Sequence, residues 1–290
     1  MDQTLTRRGF LGATAAAAAA VGVAGRATAQ EAAGGVYRIQ NGRLKQGVCQ
    51  WSAGLPLDEL CRVGAEIGLS GIDLVGAGEW GVLRDHGLIC TMVGSHGIGR
   101  GFNRIENHEE CIAAVRRGID ECAAAGFPNV ICFSGNRDGL DDETGLANCA
   151  VGLKQIVGYA EDKGVTICME LLNSKRDHHD YMCDRSAWGI RLVDEVGSPR
   201  FRLLYDIYHM QTDEGDVIDT IRRYATTHFG HFHTAGVPGR HEIGDSQELY
   251  YPAIARAIAE SGYEGYISHE FTPTGDKIQA LSEAVRICDV

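Results

Sequence analysis

Short apolar runs alternate along the chain with longer segments of helical periodicity. We expect the apolar runs to form β-strands at residues 44–51, 71–75, 89–93, 129–134, 165–172, 202–208, 227–234 and 265–271. The amphipathic segments predict helices at residues 57–67, 105–125, 144–163, 185–196, 217–225, 251–261 and 276–288, and a fainter helical pattern covers 79–86. Near-continuous apolar runs are typical of parallel strands that are covered on both faces.

Eight strand candidates alternating with helices over about 250 residues favour one (β/α)8 TIM barrel, which we assign to residues 41–290. Glycines such as Gly126 and Gly164 stand where a helix would end and turn into the next strand. A doubly wound open sheet is the alternative. It is disfavoured because the glycine-rich segment 94–101 follows the third predicted strand and not the first.

The N-terminal segment has the features of an export signal. Arg7 and Arg8 form a twin-arginine pair, an alanine-rich apolar stretch covers 11–24, and a small-residue cleavage site covers 27–29. Residues 1–29 are therefore predicted to be a twin-arginine signal peptide, followed by a short linker at 30–40. This predicts a periplasmic or secreted protein that has no membrane attachment after cleavage.

Composition supports a folded chain that acts on something other than nucleic acid. The 290 residues are 44% hydrophobic, and the formal net charge is −12, which opposes binding to a phosphate backbone. The ten cysteines include no CxxC pair, and four lie inside apolar runs: Cys49, Cys90, Cys132 and Cys168. They indicate buried thiols, although the sequence leaves a disulfide after export open.

Four consecutive predicted strands end in a residue that can bind a metal ion: Glu170, Asp206, His233 and Glu270. Any one of them alone would be read as a polar strand end. Because the carboxyl ends of barrel strands meet on one face, four together predict a shared site. Carboxylate oxygens suit Mg²⁺ or Mn²⁺, and the imidazole favours Mn²⁺ or Co²⁺.

Other polar residues follow the same strands. His209 lies one helical turn after Asp206, and Arg240 follows the strand of His233, where its guanidinium could bind two substrate oxygens. His231 shares a strand face with His233, and we expect it to be buried behind the site.

Three further histidines are given lesser roles. His96 is a candidate for the pocket wall, and His178 and His179 are expected in a loop.

From Glu170 to about Gly275 the chain resembles the hydroxypyruvate isomerase family of the xylose-isomerase-like barrel superfamily. The matching stretches are ELLN at 170–173, YDIYHMQ at 205–211, EGD at 214–216, VPGRHE at 237–242 and GYEG at 262–265. The resemblance implies a single (β/α)8 domain and one divalent ion held by Glu170, Asp206, His233 and Glu270. It also implies that Glu170 and Glu270 exchange the substrate proton, while His209 and Arg240 hold substrate oxygens.

The implied reaction is isomerisation of a small keto acid or ketose through an enediolate, as in the conversion of hydroxypyruvate to tartronate semialdehyde. One position departs from this family. His233 stands where hydroxypyruvate isomerases carry glutamine, and an imidazole here is typical of ketose 3-epimerases. A ketose 3-epimerase and a keto-sugar dehydratase or lyase therefore stay open. A metal-dependent endonuclease and a non-catalytic sugar-binding barrel are further alternatives, and the sequence leaves a homo-oligomer open.

Overall fold

A parallel sheet of seven strands forms the centre of residues 35–290, the part of the chain that this computed structural model describes. The strands are β1 (Lys45–Cys49), β2 (Gly71–Asp73), β3 (Asn129–Cys132), β4 (Thr166–Glu170), β5 (Phe201–Asp206), β6 (Phe229–Thr234) and β7 (Tyr266–His269). Their order is β2-β1-β7-β6-β5-β4-β3, and every neighbouring pair is parallel. The predicted export signal lies outside the described residues.

Helices follow the strands in the predicted alternation. They are α1 (Gln50–Ala53), α2 (Leu57–Ile67), α3 (Trp80–Asp85), α4 (His108–Ala125), α5 (Asp142–Lys154), α6 (Val157–Lys163), α7 (Ser186–Val196), α8 (Ile207–Asp213), α9 (Val217–Tyr224), α10 (Tyr251–Glu260) and α11 (Lys277–Cys288). Gly126 and Gly164 end α4 and α6 with positive φ angles of 74° and 70°, as a helix-to-strand turn requires. Within residues 35–290, no helix is long and apolar enough to cross a membrane.

One predicted helix is divided in the structure. The prediction of a single helix at 144–163 is wrong, because α5 ends at Lys154 and α6 begins at Val157. Between them the amide groups of Gln155 and Ile156 donate to carbonyls three residues back, at 3.2 and 3.1 Å, which tightens and interrupts the α-helical pattern.

The predicted third strand closes the barrel without forming a regular ladder. Ile89 pairs with Gly71 of β2, and Val93 pairs with Val130 of β3, each as an isolated parallel bridge. The segment therefore crosses from one neighbour to the other. β2 is also shorter than predicted, because Leu74 takes a φ of 62° and ends the extended backbone after Asp73. The predicted TIM barrel is confirmed, with seven regular strands and this bridging segment in the eighth position.

The closure leaves no space for a side chain at Gly71. A Cβ atom there would lie 2.3 Å from the carbonyl oxygen of Ile89, which accepts the amide of Ile72 at 2.9 Å. We expect Gly71→Ala to destabilise the fold by about 1–3 kcal/mol, because the bridge must shift to make room. Urea unfolding measures this. Gly78→Ala is the matched control, since nothing lies within 4 Å of a Cβ at Gly78. Equal stability of the two variants would contradict the expectation.

Residues 37–42, just before β1, form hydrogen bonds with the side chain of Asp289. The Asp289 carboxylate accepts the backbone amides of Gln40, Asn41 and Gly42 at 2.6, 3.0 and 2.9 Å, and Tyr37 donates its hydroxyl to the same carboxylate at 2.8 Å. The described part of the predicted linker thus contacts the residue that follows α11.

The barrel interior is polar at its centre. Gln46, Asp73, His231 and His269 are each at most 1% exposed, and Gln46 Oε1 accepts a hydrogen bond from His269 Nε2 at 3.0 Å. All ten cysteines are buried with free thiols, which confirms the buried thiols predicted at Cys49, Cys90, Cys132 and Cys168. The polar interior lies among the strands that carry the predicted site residues.

Candidate active site

The four predicted metal-binding residues come together at the carboxyl end of the barrel. Glu170 ends β4, Asp206 ends β5, His233 lies one residue before the end of β6, and Glu270 directly follows β7. Each offers a ligand atom, and these atoms all lie within 4.8 Å of one another. The side chains are nearly fully buried. This group is called the four-residue cluster below.

Glu270 is surrounded by hydrogen-bond donors. Its Oε1 accepts the indole N–H of Trp51 at 2.9 Å and faces the thiol of Cys49 at 3.4 Å, while Arg240 donates to Oε2. Burial by itself would raise the pKa of Glu270, but the charges of His233 and Arg240 hold this pKa well below its usual range. Glu270 is therefore held ionised and fixed in orientation.

Glu170 has fewer hydrogen-bond donors around its carboxylate than Glu270 has. His233 Nδ1 lies 3.6 Å from its Oε1. Burial raises the pKa of Glu170, and the nearby charge of Glu270 adds to the rise. The two glutamates thus lie at one site in contrasting environments, and Glu170 favours the protonated form more than Glu270 does. Such a contrast is a common arrangement for an acid/base pair.

Asp206 links the cluster to the start of α8. Its Oδ1 caps that helix by accepting the amide of His209 at 3.1 Å. Burial raises the pKa of Asp206 to about 7, although the positive charge of Arg240 opposes the rise. A cation bound at the cluster would lower the pKa of Asp206, because a nearby positive charge favours the ionised carboxylate.

His209 lies at the edge of the cluster with one free ring nitrogen. Asn173 contacts its Nδ1 at 2.6 Å, while its buried Nε2 has no hydrogen-bond partner and lies 3.6 Å from Asp206 Oδ2. His178, expected in a loop, packs its ring against that of His209 with centroids 5.3 Å apart. The free Nε2 is the nitrogen that could contact a substrate oxygen.

Arg240 is held above the cluster by charge and by aromatic rings. It pairs with Glu270 and with Asp206 Oδ2 at 3.5 Å, and its guanidinium lies 5.1 Å from the Trp51 ring centroid and 5.4 Å from that of Tyr208. Arg240 has a left-handed φ of 59°, and its amide donates to Gly236 at 2.9 Å. Its buried Nε has no partner, so the side chain retains a donor for another group.

Three contributors were missed by the sequence reasoning. Asp73, Cys49 and Trp51 all reach the site or the residues behind it, yet all three lie within predicted apolar strands, and the structure places Trp51 in the short helix α1. An aspartate inside an apolar run was the available signal for Asp73. His96 packs its ring on Phe102 and Phe133, and its Nδ1 contacts backbone carbonyls, so its place in the pocket wall stays a prediction.

The cluster fits a divalent cation on its own geometry. Three buried carboxylates and one imidazole bring their ligand atoms within 4.8 Å of one another, and His233 Nδ1 lies 3.0 Å from Glu270 Oε2 without the alignment of a hydrogen bond. An oxygen-rich set with one imidazole is suited to Mg²⁺ or Mn²⁺. Several like charges this close are stable in a buried site only when a positive charge compensates them.

Fold and site together define a TIM-type barrel with a candidate active site at the carboxyl ends of its strands. The chain belongs to the family described as xylose isomerase-like TIM barrel, whose model matches residues 80–288. This confirms the superfamily that the motifs around Asp206 and Arg240 indicated.

Two curated relatives and one solved structure are similar to this chain. A putative hydroxypyruvate isomerase of Mus musculus is 27% identical over 205 residues, 67% of this chain and 73% of that protein. A 2-oxo-tetronate isomerase of Cupriavidus necator is 38% identical over 114 residues, 39% of this chain and 43% of that protein. The 3-keto-D-glucoside 4-epimerase YcjR of E. coli has a TM-score of 0.71 at 19% identity, covering 84% of this chain and 100% of that one, and shows the fold alone.

Proposed function

We propose that the protein is a divalent-metal-dependent isomerase that moves a proton on a carbon next to a carbonyl in a small keto acid or ketose. One observation carries the proposal: two buried glutamates, Glu170 and Glu270, belong to a cluster whose four ligand atoms lie within 4.8 Å of one another. Proton transfer between neighbouring carbons, or between two faces of one carbon, needs two such groups near one substrate.

The two glutamates are proposed to divide the proton transfer. The ionised Glu270, fixed by Trp51 and Arg240, is suited to remove a proton, and Glu170, whose burial favours the protonated form, is suited to deliver one. His209 Nε2 and Arg240 Nε are buried without partners and are the groups proposed to hold substrate oxygens.

The metal ion is proposed to be held by Glu170, Asp206, His233 and Glu270. When bound, the cation would supply positive charge that stabilises the charge developing on the substrate oxygens. The chain's own residues then orient the substrate, keep the proton-transferring oxygens apart from bulk water, and hold the proton at a glutamate oxygen. Mn²⁺ is our preferred ion, with Mg²⁺ and Co²⁺ as alternatives.

For the substrate, the relatives support a 2-oxo acid. Both curated relatives are isomerases of such compounds by name, and hydroxypyruvate is the first substrate we propose. A ketose is the second, because His233 stands where the hydroxypyruvate isomerase pattern has glutamine and ketose 3-epimerases have histidine. A DNA substrate is disfavoured by the net charge of −12.

Proton exchange in D₂O tests the reaction without assuming its product. We expect the Mn²⁺-supplemented protein to incorporate deuterium at the carbon next to the carbonyl of hydroxypyruvate or of a ketose, measured as loss of the ¹H NMR signal. The carbon that exchanges distinguishes isomerisation from epimerisation.

Two variants control for this exchange. Glu66→Gln, on an exposed pair with Arg62 whose side chains are each 56% exposed, should exchange as the unmodified protein does. The double variant Glu170→Gln, Glu270→Gln should not exceed the buffer rate. Exchange in the double variant at the unmodified rate would rule out the proposed glutamate pair.

A further inference from the structure

A carboxylate beneath the four-residue cluster contacts its histidine from the other side. Asp73 ends β2, is fully buried, and places its Oδ2 3.0 Å from Nε2 of His233. The Nδ1 of the same ring faces Glu270 at 3.0 Å and Glu170 at 3.6 Å. The imidazole therefore bridges two acidic environments, with one ring nitrogen committed to each.

Asp73 is itself held from three directions. His231, two residues before His233 on β6, approaches the same Oδ2 with its Nε2 at 2.7 Å, and Thr91 donates its hydroxyl to Oδ1. Thr91 belongs to the segment that closes the barrel between β2 and β3. A buried carboxylate with three partners cannot rotate freely, so it offers His233 an acceptor in a fixed position.

The contact selects one orientation of the His233 ring. Turning the imidazole by 180° about its bond to Cβ exchanges Nδ1 with Cδ2 and Nε2 with Cε1. The turned ring would present carbon to the cluster and lose its hydrogen bond to Asp73. Because Asp73 accepts from Nε2, a neutral His233 ring carries its proton on that nitrogen and leaves Nδ1 bare, which is the form that can bind a cation.

We infer that Asp73 is a positioning residue, which with Thr91 and His231 fixes the orientation and tautomer of His233 for metal binding. This inference rests on the proposed metal site. In the alternative arrangement, Asp73, His231 and His233 hold a second ion. Their ligand atoms also lie within 4.8 Å of one another. The count of ions per chain separates the two.

The test measures metal affinity and not turnover. We expect the unmodified chain to bind one Mn²⁺ or Co²⁺, and Asp73→Asn, which keeps the shape and removes the charge, to bind it about 10- to 100-fold more weakly, as other carboxylate partners of metal-binding histidines do. Titration against a chelating dye gives the affinity. The visible absorption of bound Co²⁺ should also shift in this variant, because the ligand field of His233 changes.

Asp184→Asn is the matched control. Asp184 is 6% exposed and pairs with Arg137 at 3.0 Å and with Ser174. The substitution therefore removes the charge of a buried carboxylate that does not contact His233. Its affinity and Co²⁺ spectrum should match those of the unmodified chain. If Asp73→Asn does not fold, Thr91→Val provides the test, since loss of one hydrogen bond to Asp73 should weaken binding about two- to tenfold.

The outcomes are distinct. Unchanged affinity and Co²⁺ spectrum in a folded Asp73→Asn chain, or in Thr91→Val if that is the variant used, would overturn the positioning role and leave the proposed function standing. Two ions per chain, one of them lost with Asp73, would overturn it in favour of a direct ligand. Failure of the unmodified chain to bind any divalent ion would overturn both this inference and the proposed function.

Discussion

Replacing Glu270 with glutamine is expected to lower kcat by about 10²- to 10⁴-fold, the range that a positioned acid or base contributes. Glutamine keeps the side chain's size and can still accept the Trp51 indole N–H, which lies 2.9 Å from Oε1 in the structure. It cannot accept a proton, and it loses the charge that pairs with Arg240. Turnover of the substrate identified by D₂O exchange is the measurement, made at saturating Mn²⁺.

The same replacement at Glu170 should have a comparable effect, because the reaction needs both proton-transferring groups. Metal affinity must be measured beside turnover, since both glutamates belong to the four-residue cluster. Glu66→Gln, at an exposed position on α2, should retain full activity. A kcat within a few-fold of the unmodified value in either cluster variant, with metal bound, would remove that glutamate from the proposed acid/base pair.

Chelation is expected to reduce activity to that of the double glutamate variant, and Mn²⁺ or Co²⁺ is expected to restore it. The physical reason is the crowding of Glu170, Asp206 and Glu270, which with His233 place four ligand atoms within 4.8 Å of one another. Without a cation these carboxylates repel one another in a low-dielectric site. We also expect the chelated protein to melt at a lower temperature, because a ligand that binds only the folded state stabilises it.

Activity after dialysis against a chelator, followed by back-titration with each metal, provides the measurement. The chelator must then be removed before the metals are added, so that recovery reports binding to the protein. Full activity in protein shown by elemental analysis to be free of metal would contradict the proposed metal dependence. That result would not test proton transfer by the two glutamates, which the glutamine variants test.

Much of the fold followed from local pattern. Apolar runs that alternate with amphipathic segments can be covered on both faces only by a few architectures, and the barrel was the one that eight runs favoured. The exceptions have local causes: Leu74 ends β2 through its left-handed backbone, and Gln155 and Ile156 interrupt the helix expected at 144–163. Such backbone changes are set by packing and are weakly encoded in hydrophobic periodicity.

The candidate site was partly predictable for a related reason. Glu170, Asp206 and Glu270 stand where apolar strands stop, and parallel strands of a barrel stop on the same face, so sequence position alone implied that they meet. Trp51 and Cys49 gave no such signal. Their contact with Glu270 spans more than 200 residues of chain and depends on β1 lying next to β7 in the closed barrel.

The sequence by itself determined the alternation of strands and helices and the polar residues at four strand ends, because hydrophobic period and strand termini are local properties of the chain. Only the tertiary structure decided which groups meet across the barrel interior. Asp73 and His233 are separated by 160 residues, and their strands are not neighbours in the sheet. Barrel curvature turns both side chains inward, and it is this curvature that brings a carboxylate behind the imidazole.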